Sequence, residues 1–408
     1  MSKVLTDKNL IEKFLTRGVE AIYPTVDDLR KKLLSGERLR IYQGFDPTGP
    51  YLHVGHAIGI RGLRILQQLG HEVIFLVGDY TAKVGDPDKN STRKMLSDED
   101  IENNMAGWKE QASQLIDFGG DNPVQFKRNY EWLSKLNLND LIKLMSQTTV
   151  QRMMERDLFE RRLKENNPIH LHEFIYPLMQ GYDGVAMEVD MEIGGADQIF
   201  NMLTGRTLSR AYLNKEKFVR ANKMMDAPDG RTMSKTKGNG INLGDSAEDM
   251  YGKAMSYPDS AITSGLEMLT DVPMEQIKEI SEEIKKGSNP MQFKKLMAYE
   301  IVKTIKGEEA ALKGKKYFED TVQHKEIPQD IREVKLSSDQ KTIIELLVIS
   351  GLAKSNGEAR RLIQQKGVKI KNGAEDFKVI DDINEIIVLT DETILQKGKL
   401  DFIKFRIK

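Results

Sequence analysis

Residues 38–77 read RLRIYQGFDPTGPYLHVGHAIGIRGLRILQQLGHEVIFLV. Arg38–Gly44 has strand character, and a Gly/Pro-rich loop runs from Asp46 to Pro50. A helix starts near His53–His56, carries Ile60, Leu63, Leu66 and Leu69 along one side, and is stopped by Gly70. Glu72–Val77 is then an almost uninterrupted apolar run of strand length. Strand, loop, helix and strand at this spacing form a βαβ unit with a buried parallel sheet, which predicts an α/β fold.

Outward from this unit, residues 4–35 read as helical, with Leu5, Leu10, Ile11, Phe14 and Leu15 at helical spacing. Residues 130–165 look helical again, and two short strand signals flank 185–193. The stretch 245–325 is charged and helical, and the Pro328 region, 326–337, reads as a linker. Residues 338–408 change character. They hold an amphipathic helix pair, Thr342–Ser350 and Asn356–Gln365, and then strand signals at Val368–Ile370, Ile386–Leu389 and Phe402–Ile407, with a small excess of positive side chains.

Composition narrows the class. The 408 residues are 39% hydrophobic and 30% charged, enough for a large core divided over several units. The formal net charge is −1, so a nucleic-acid partner has to be held by local basic patches. With no cysteine, disulfides and thiolate metal sites are excluded. No apolar run has the length of a membrane span, and residues 1–18 lack a signal-peptide core, so a soluble cytoplasmic protein is expected.

The loop after the first strand is neither a Walker P-loop nor a dinucleotide fingerprint. It still suits a nucleotide. His53 and His56 sit on adjoining faces of one helical turn, and Gly55 between them lets a flat ring approach the backbone. The helix N-terminus presents N–H groups and positive potential to phosphates. Taken alone, such a pair is more often an incidental spacing or half a metal site, but no third ligand of the right kind is near. A second string, Gly230-Arg231-Thr232-Met233-Ser234-Lys235-Thr236-Lys237-Gly238-Asn239, combines glycines, small polar residues and cations in a loop able to close over phosphates, or merely a solvated one. Further on, Tyr176, Gln180 and Asp183 share one helix face among Ile175, Leu178 and Met179. Phenol, amide and carboxylate together suit a small ligand bearing an ammonium and a hydroxyl group.

The two strings together resemble the HIGH and KMSKS signatures of class I aminoacyl-tRNA synthetases, here His53-Val54-Gly55-His56 and Thr232-Met233-Ser234-Lys235-Thr236. The second departs from the pattern, because Thr232 stands where the family has its leading lysine. Four further blocks are similar to those of bacterial tyrosyl-tRNA synthetases, in order and spacing: Tyr42–Thr48, Val77–Pro87, Tyr176–Asp183 and Glu192–Gln198. The resemblance implies a Rossmann-like parallel-sheet catalytic domain at 1–222 with a dimer-forming helical insertion. It also implies a signature loop and helical anticodon-side domain at 223–325, a linker at 326–337 and a small α+β domain at 338–408. Leu352–Ser355, Glu358–Ile363 and Gly367–Ile370 in that last part resemble the S-four-type RNA-binding domain.

What the family does implies the site. Tyr42 and Asp183 would bind the tyrosine phenol, and Asp86, Tyr176 and Gln180 its ammonium group. Gly44, Thr48, Gly55, Gly195, Asp197, Met233, Ser234, Lys235 and Thr236 would bind ATP. His53, His56, Lys235, Asp46 and Gln198 would serve catalysis, and Lys89, Arg93, Lys94 and Arg231 would face pyrophosphate. Arg360, Arg361, Lys366 and Lys369 are candidates for tRNA phosphates. ATP would be a substrate accompanied by Mg2+, with no tightly bound cofactor and no resident metal. The expected partners are tRNA(Tyr), L-tyrosine, ATP and a second copy of the chain, without DNA or membrane. The reaction would join tyrosine to its tRNA for protein biosynthesis. A tryptophan enzyme of the same architecture, or a non-catalytic RNA-binding relative, are the competing readings.

Overall fold

The computed structural model describes residues 3–86, 96–227, 240–323, 331–337, 340–373, 376–398 and 401–407. Contacts divide the chain into two units, Met1–Asp245 with Lys253–Gly307, and Ser246–Gly252 with Glu308–Lys408.

The first unit is built on six strands: β1 (Val19–Tyr23), β2 (Arg40–Phe45), β3 (Glu72–Val77), β4 (Gln125–Arg128), β5 (Met191–Gly195) and β6 (Phe218–Asn222). Their order is β1-β6-β5-β2-β3-β4, parallel except for β1 against β6. From β2 the chain goes outward to β3 and β4, then returns to the other side of β2 as β5. The order therefore reverses between β2 and β5, and the crevice beyond their carboxyl ends is the position where such sheets hold ligands. The central strands are apolar almost throughout, with Ile41, Ile74, Phe75, Val77, Met191 and Ile193 buried. This agrees with a sheet covered by helices on both faces.

The βαβ unit forms as its spacing predicts. The helix is Val54–Gln68, His53 is its N-cap and Gly70 takes φ +84 just after it. Elsewhere the pattern differs from expectation. Residues 4–35 are not one helical stretch: Lys8–Thr16 and Val26–Leu34 are helices, and β1 lies between them. Gly18, at φ +62, lies between the helix Lys8–Thr16 and β1, and Val19–Tyr23 gain their hydrogen bonds from β6. The run 130–165 breaks into Tyr130–Leu133, Leu138–Met145, Val150–Met154 and Asp157–Lys164. The side chains of Asn137 and Thr149 accept backbone N–H bonds at new helix starts, which interrupts the run. Of the two strand signals around 185–193, one is β5, whereas Val185 lies in the last turn of the helix Tyr176–Ala186.

In the second unit, β7 (Arg332–Leu336), β8 (Gln340–Thr342), β9 (Val368–Asn372), β10 (Lys378–Val379), β11 (Ile386–Val388), β12 (Thr393–Lys397) and β13 (Asp401–Ile407) form two sheets. One has the order β10-β9-β12-β13-β7 and the other pairs β11 with β8. Helices Ile343–Ile349 and Asn356–Gln364 share a core with them around Leu347, Ile363, Leu395 and Phe405. The expected linker is corrected here, because Arg332–Leu336 runs parallel to β13. Its alternation brings Leu336 into the core with Val334 packed against it, a period-two signal hidden among charges.

Candidate active site

Strand alternation decides which side chains reach the crevice. Tyr42 on β2 is in register with Ile74 on β3 and Glu192 on β5. It is wholly buried against Ile74, Leu76, Met187 and Val189. Gln43 points to the opposite face, where a side chain on Gly59 of the helix Val54–Gln68 would meet its amide at 2.0 Å. The Tyr42 face is closed by the helix Tyr176–Ala186, whose backbone carbonyl at Gln180 accepts the Tyr42 hydroxyl at 3.3 Å.

That helix presents Tyr176, Gln180 and Asp183 to the same place. The Tyr176 hydroxyl donates to Asp46 at 2.8 Å, and the other Asp46 oxygen accepts from Thr81 at 2.8 Å. Asp183 is 3% exposed and accepts from the Trp132 indole at 2.7 Å and the Asn129 amide at 3.2 Å. Asn129 is itself oriented, because its carbonyl accepts the Tyr80 N–H at 2.9 Å. Burial pushes the Asp183 carboxyl well above the usual carboxylate range, opposed by the Trp132 and Asn129 bonds. Burial likewise raises the Tyr42 phenol, reinforced by the negative charges of Glu192 and Asp183. The sequence-expected pair, Tyr42 and Asp183, thus shares one buried neighbourhood.

Around it runs a polar ring. Gln180 donates to Glu192 at 2.9 Å, and Glu192 is paired with the fully buried Lys217. Lys217 fits because its neighbours lack side chains: a Cβ on Gly205 would lie 2.4 Å from its ammonium nitrogen, and one on Gly184 3.3 Å. Asp86 is held by Arg156 at 2.6 Å and by Gln198 at 2.8 Å. Gln198 also donates to Asp197 at 3.0 Å. Asp197 stands at the exposed rim, yet its crowded setting raises its pKa by desolvation, against the pull of the Gln198 bond. Among the described residues, the carboxylates Asp46, Asp86, Asp183, Glu192 and Asp197 outnumber the cations Arg156 and Lys217 in this ring. Such a pocket attracts an ammonium group.

The histidine turn borders the crevice at the end of β2. The backbone N–H of His53 donates to Nδ1 of His56 at 3.0 Å, which places the proton of neutral His56 on Nε2. The two rings lie 3.8 Å apart, and Phe45 meets His56 edge-on at 5.8 Å. The preceding loop is pinned by Asn104 to Pro47 at 2.9 Å, Trp108 to Gly49 at 3.3 Å and Gln111 to Leu52 at 2.8 Å. Gly44, Thr48 and Gly55 lie on this strand end, loop and first helical turn. One expectation is modified: the Val54 N–H at the helix start is engaged by the Ile241 carbonyl at 2.9 Å, so it is not open to a phosphate. That bond has its own use. With Leu243 N–H on the Leu52 carbonyl at 2.8 Å, it ties the chain just after the second signature string to the histidine turn. Just before that string, Met224 lies against Gly195, where a Cβ would meet its sulfur at 2.8 Å.

Arg231, Met233, Ser234, Lys235 and Thr236 lie outside the described residues, as do Lys89, Arg93 and Lys94. In the second unit, Arg360, Arg361 and Lys366 are exposed and Lys369 is half-buried on β9. Sequence reading missed Asn129, Trp132, Arg156, Asn201 and Lys217. Partners brought together by the fold give them a task, and the sequence around Lys217, with Glu216 before it and Phe218 after it, offers no local hint.

The model for class I tRNA synthetases of the W and Y group matches residues 34–323. The chain belongs to that family. It is 40% identical over 396 residues to the tyrosine–tRNA ligase of Moorella thermoacetica, covering 96% of this chain and 94% of the relative. It is 40% identical over 393 residues to that of Thermotoga maritima, with 96% of each covered. Family members share the fold at greater distance. A tyrosyl-tRNA synthetase complexed with L-tyrosine from Archaeoglobus fulgidus matches with TM-score 0.59 at 24% identity, over 75% of this chain and 99% of that one. A truncated mitochondrial tyrosyl-tRNA synthetase from Aspergillus nidulans matches with TM-score 0.63 at 23% identity, over 78% and 93%.

Proposed function

We propose that this chain activates L-tyrosine with ATP to tyrosyl-adenylate and pyrophosphate, and then transfers tyrosine to the 3′ end of tRNA(Tyr). The observation that carries this reading is the Tyr42 hydroxyl and Asp183 carboxylate buried together beneath a negatively charged ring at the β2–β5 switch point. Membership of the family and the 40% identity to tyrosine–tRNA ligases support it.

In this reading, Tyr42 and Asp183 select the phenol, while Asp86, Tyr176 and Gln180 receive the ammonium group. Gln198 steers the tyrosine carboxylate, and Asp46 stands between amino acid and nucleotide. Gly44, Thr48, Gly55, Gly195 and Asp197 cradle ATP. The nucleophile is a carboxylate already ionised at neutral pH, so no general base is required. Rate then comes from positioning and from charge stabilisation at the phosphates by His53, His56 and Lys235. Met233, Ser234 and Thr236 would line the same loop, and Arg231, Lys89, Arg93 and Lys94 would face the departing pyrophosphate. Magnesium enters with the ATP substrate.

We assign catalysis to 1–222, the signature loop and anticodon-side helices to 223–325, and tRNA backbone contacts to Arg360, Arg361, Lys366 and Lys369 in the last domain. A homodimer through 130–170 is supported by exposed Leu138, Ile142, Val150 and Leu163 on that segment, more apolar surface than a solitary helix face needs. A monomer mass in sedimentation equilibrium would overturn it. No described helix is long and apolar enough to cross a membrane, and we place the protein in the cytoplasm, a point open to cell fractionation. The deciding assay is amino-acid-dependent ATP–pyrophosphate exchange. Exchange with tyrosine is expected; exchange with tryptophan alone, or none, would refute the assignment.

A further inference from the structure

Between Gln180 and Gln198 lies Asn201, 1% exposed. Its side-chain NH2 group donates to both glutamine carbonyls, to Gln180 at 3.0 Å and to Gln198 at 2.9 Å. The outer ends of the two glutamines meet carboxylates. Gln180 Nε2 donates to Glu192 at 2.9 Å, and Gln198 Nε2 donates to Asp86 at 2.8 Å. Each carboxylate has a buried cation behind it, Lys217 on Glu192 and Arg156 on Asp86. An ionised carboxylate only accepts hydrogen bonds, so both glutamines turn their NH2 groups outward and their carbonyls inward. Among the described residues, Asn201 then donates a hydrogen bond to both inward carbonyls.

Stability alone does not explain this arrangement. The Asn201 carbonyl oxygen is buried with no hydrogen-bond partner among the described residues. A residue serving only the fold would use both halves of its amide, because an unmatched buried carbonyl is destabilising. The first turn of the helix Ile199–Leu213 instead holds Asn201 with its donors facing the two glutamine carbonyls.

We propose that Asn201 is a positioning residue that fixes the amide orientation of Gln180 and Gln198, and through Gln180 the recognition of the substrate ammonium group. The inference rests on the reading of Gln180 as an ammonium acceptor. An ammonium group has only donors, so it needs the Gln180 carbonyl oxygen; a reversed amide would set N–H against N–H. The donors of Asn201 and the Glu192 carboxylate together make that reversal unfavourable.

The test compares two ligands, L-tyrosine and its deaminated analogue 3-(4-hydroxyphenyl)propionate, by calorimetry on the full chain. Asn201→Leu keeps the branched outline of the side chain and removes the donors. It is expected to weaken tyrosine about tenfold and the analogue by less than about threefold. Equal weakening of both ligands, or no weakening of tyrosine, overturns the proposal. Should Asn201→Leu fail to fold, Asn201→Ser is judged by the same criterion, and failure of both to fold marks the residue as structural and also overturns it. Gln180→Ala is measured in parallel. If it leaves the preference for tyrosine over the analogue intact, the ammonium role of Gln180 falls, independently of anything seen at position 201.

Discussion

Asp183→Asn changes one oxygen for one NH2 group in a site where both oxygens already accept. The Trp132 indole donates to one at 2.7 Å and the Asn129 amide to the other at 3.2 Å. Asn129 cannot turn over freely, since its carbonyl holds the Tyr80 N–H and its NH2 also reaches Thr81 at 3.0 Å. Whichever way the new amide faces, it sets a donor against a donor. The substrate phenol meanwhile exchanges a charged acceptor for a neutral one. A hydrogen bond to a charged group contributes about 1.5–3 kcal/mol, which is about 10–150-fold in kcat/KM for tyrosine. Phenylalanine makes no such bond. In the parent it strands a desolvated carboxylate, and in the variant that penalty shrinks, so its kcat/KM holds or rises. The tyrosine-to-phenylalanine ratio is therefore expected to fall at least tenfold or so. Pyrophosphate exchange with each amino acid measures the ratio, alongside a thermal melt. A folded Asp183→Asn variant that discriminates within about threefold of the parent would refute the placement of the phenol.

Other outcomes follow from the same coordinates. His56→Ala should slow adenylate formation roughly tens-fold, with tyrosine affinity unchanged, because it removes a donor aimed at developing phosphate charge; a parental single-turnover rate would take His56 out of the mechanism. His71 is buried, its pKa lowered to about 4 by desolvation and then by Arg38, with Nε2 unpartnered among the described residues. The unfolded chain binds that proton near the ordinary value of about 6.5, so it holds more protons than the folded chain between there and about 4. Stability should thus fall by up to roughly 3 kcal/mol as pH drops through this window, and His71→Gln should flatten the urea-midpoint profile; identical slopes in both proteins would exclude His71 as the source. Arg360→Ala with Arg361→Ala should weaken tRNA charging and lessen its salt dependence while leaving pyrophosphate exchange unchanged. An unaltered salt slope would remove both side chains from the RNA contact.

Local signals carried the nucleotide end of the molecule a long way. Arg38–Val77 combines a helix period, a glycine stop and an apolar run, and none of these needs a distant partner to be read. The single helix face of Tyr176, Gln180 and Asp183 was legible for the same reason: residues three and four apart in a helix are neighbours wherever the helix goes. Where reading failed, a distant partner supplied the missing bond. β1 exists because β6 pairs with it, and the charged strand Arg332–Leu336 exists because β13 does. The run 130–165 failed differently. Its apolar and charged pattern favours helix throughout, but the caps at Asn137 and Thr149 cut it into short pieces.

By itself, then, the amino-acid order determined the βαβ core, the two signature strings and the face that offers a phenol, an amide and a carboxylate, because each is written in contacts a few residues long. The tertiary structure alone decided that Trp132 and Asn129 hold Asp183, that Lys217 and Arg156 stand behind Glu192 and Asp86, and that Asn201 joins the two glutamines. All of those bonds except Asn201 to Gln198 link residues far apart in the chain, and a buried charge or amide takes its meaning from the neighbour that satisfies it, which only folding supplies.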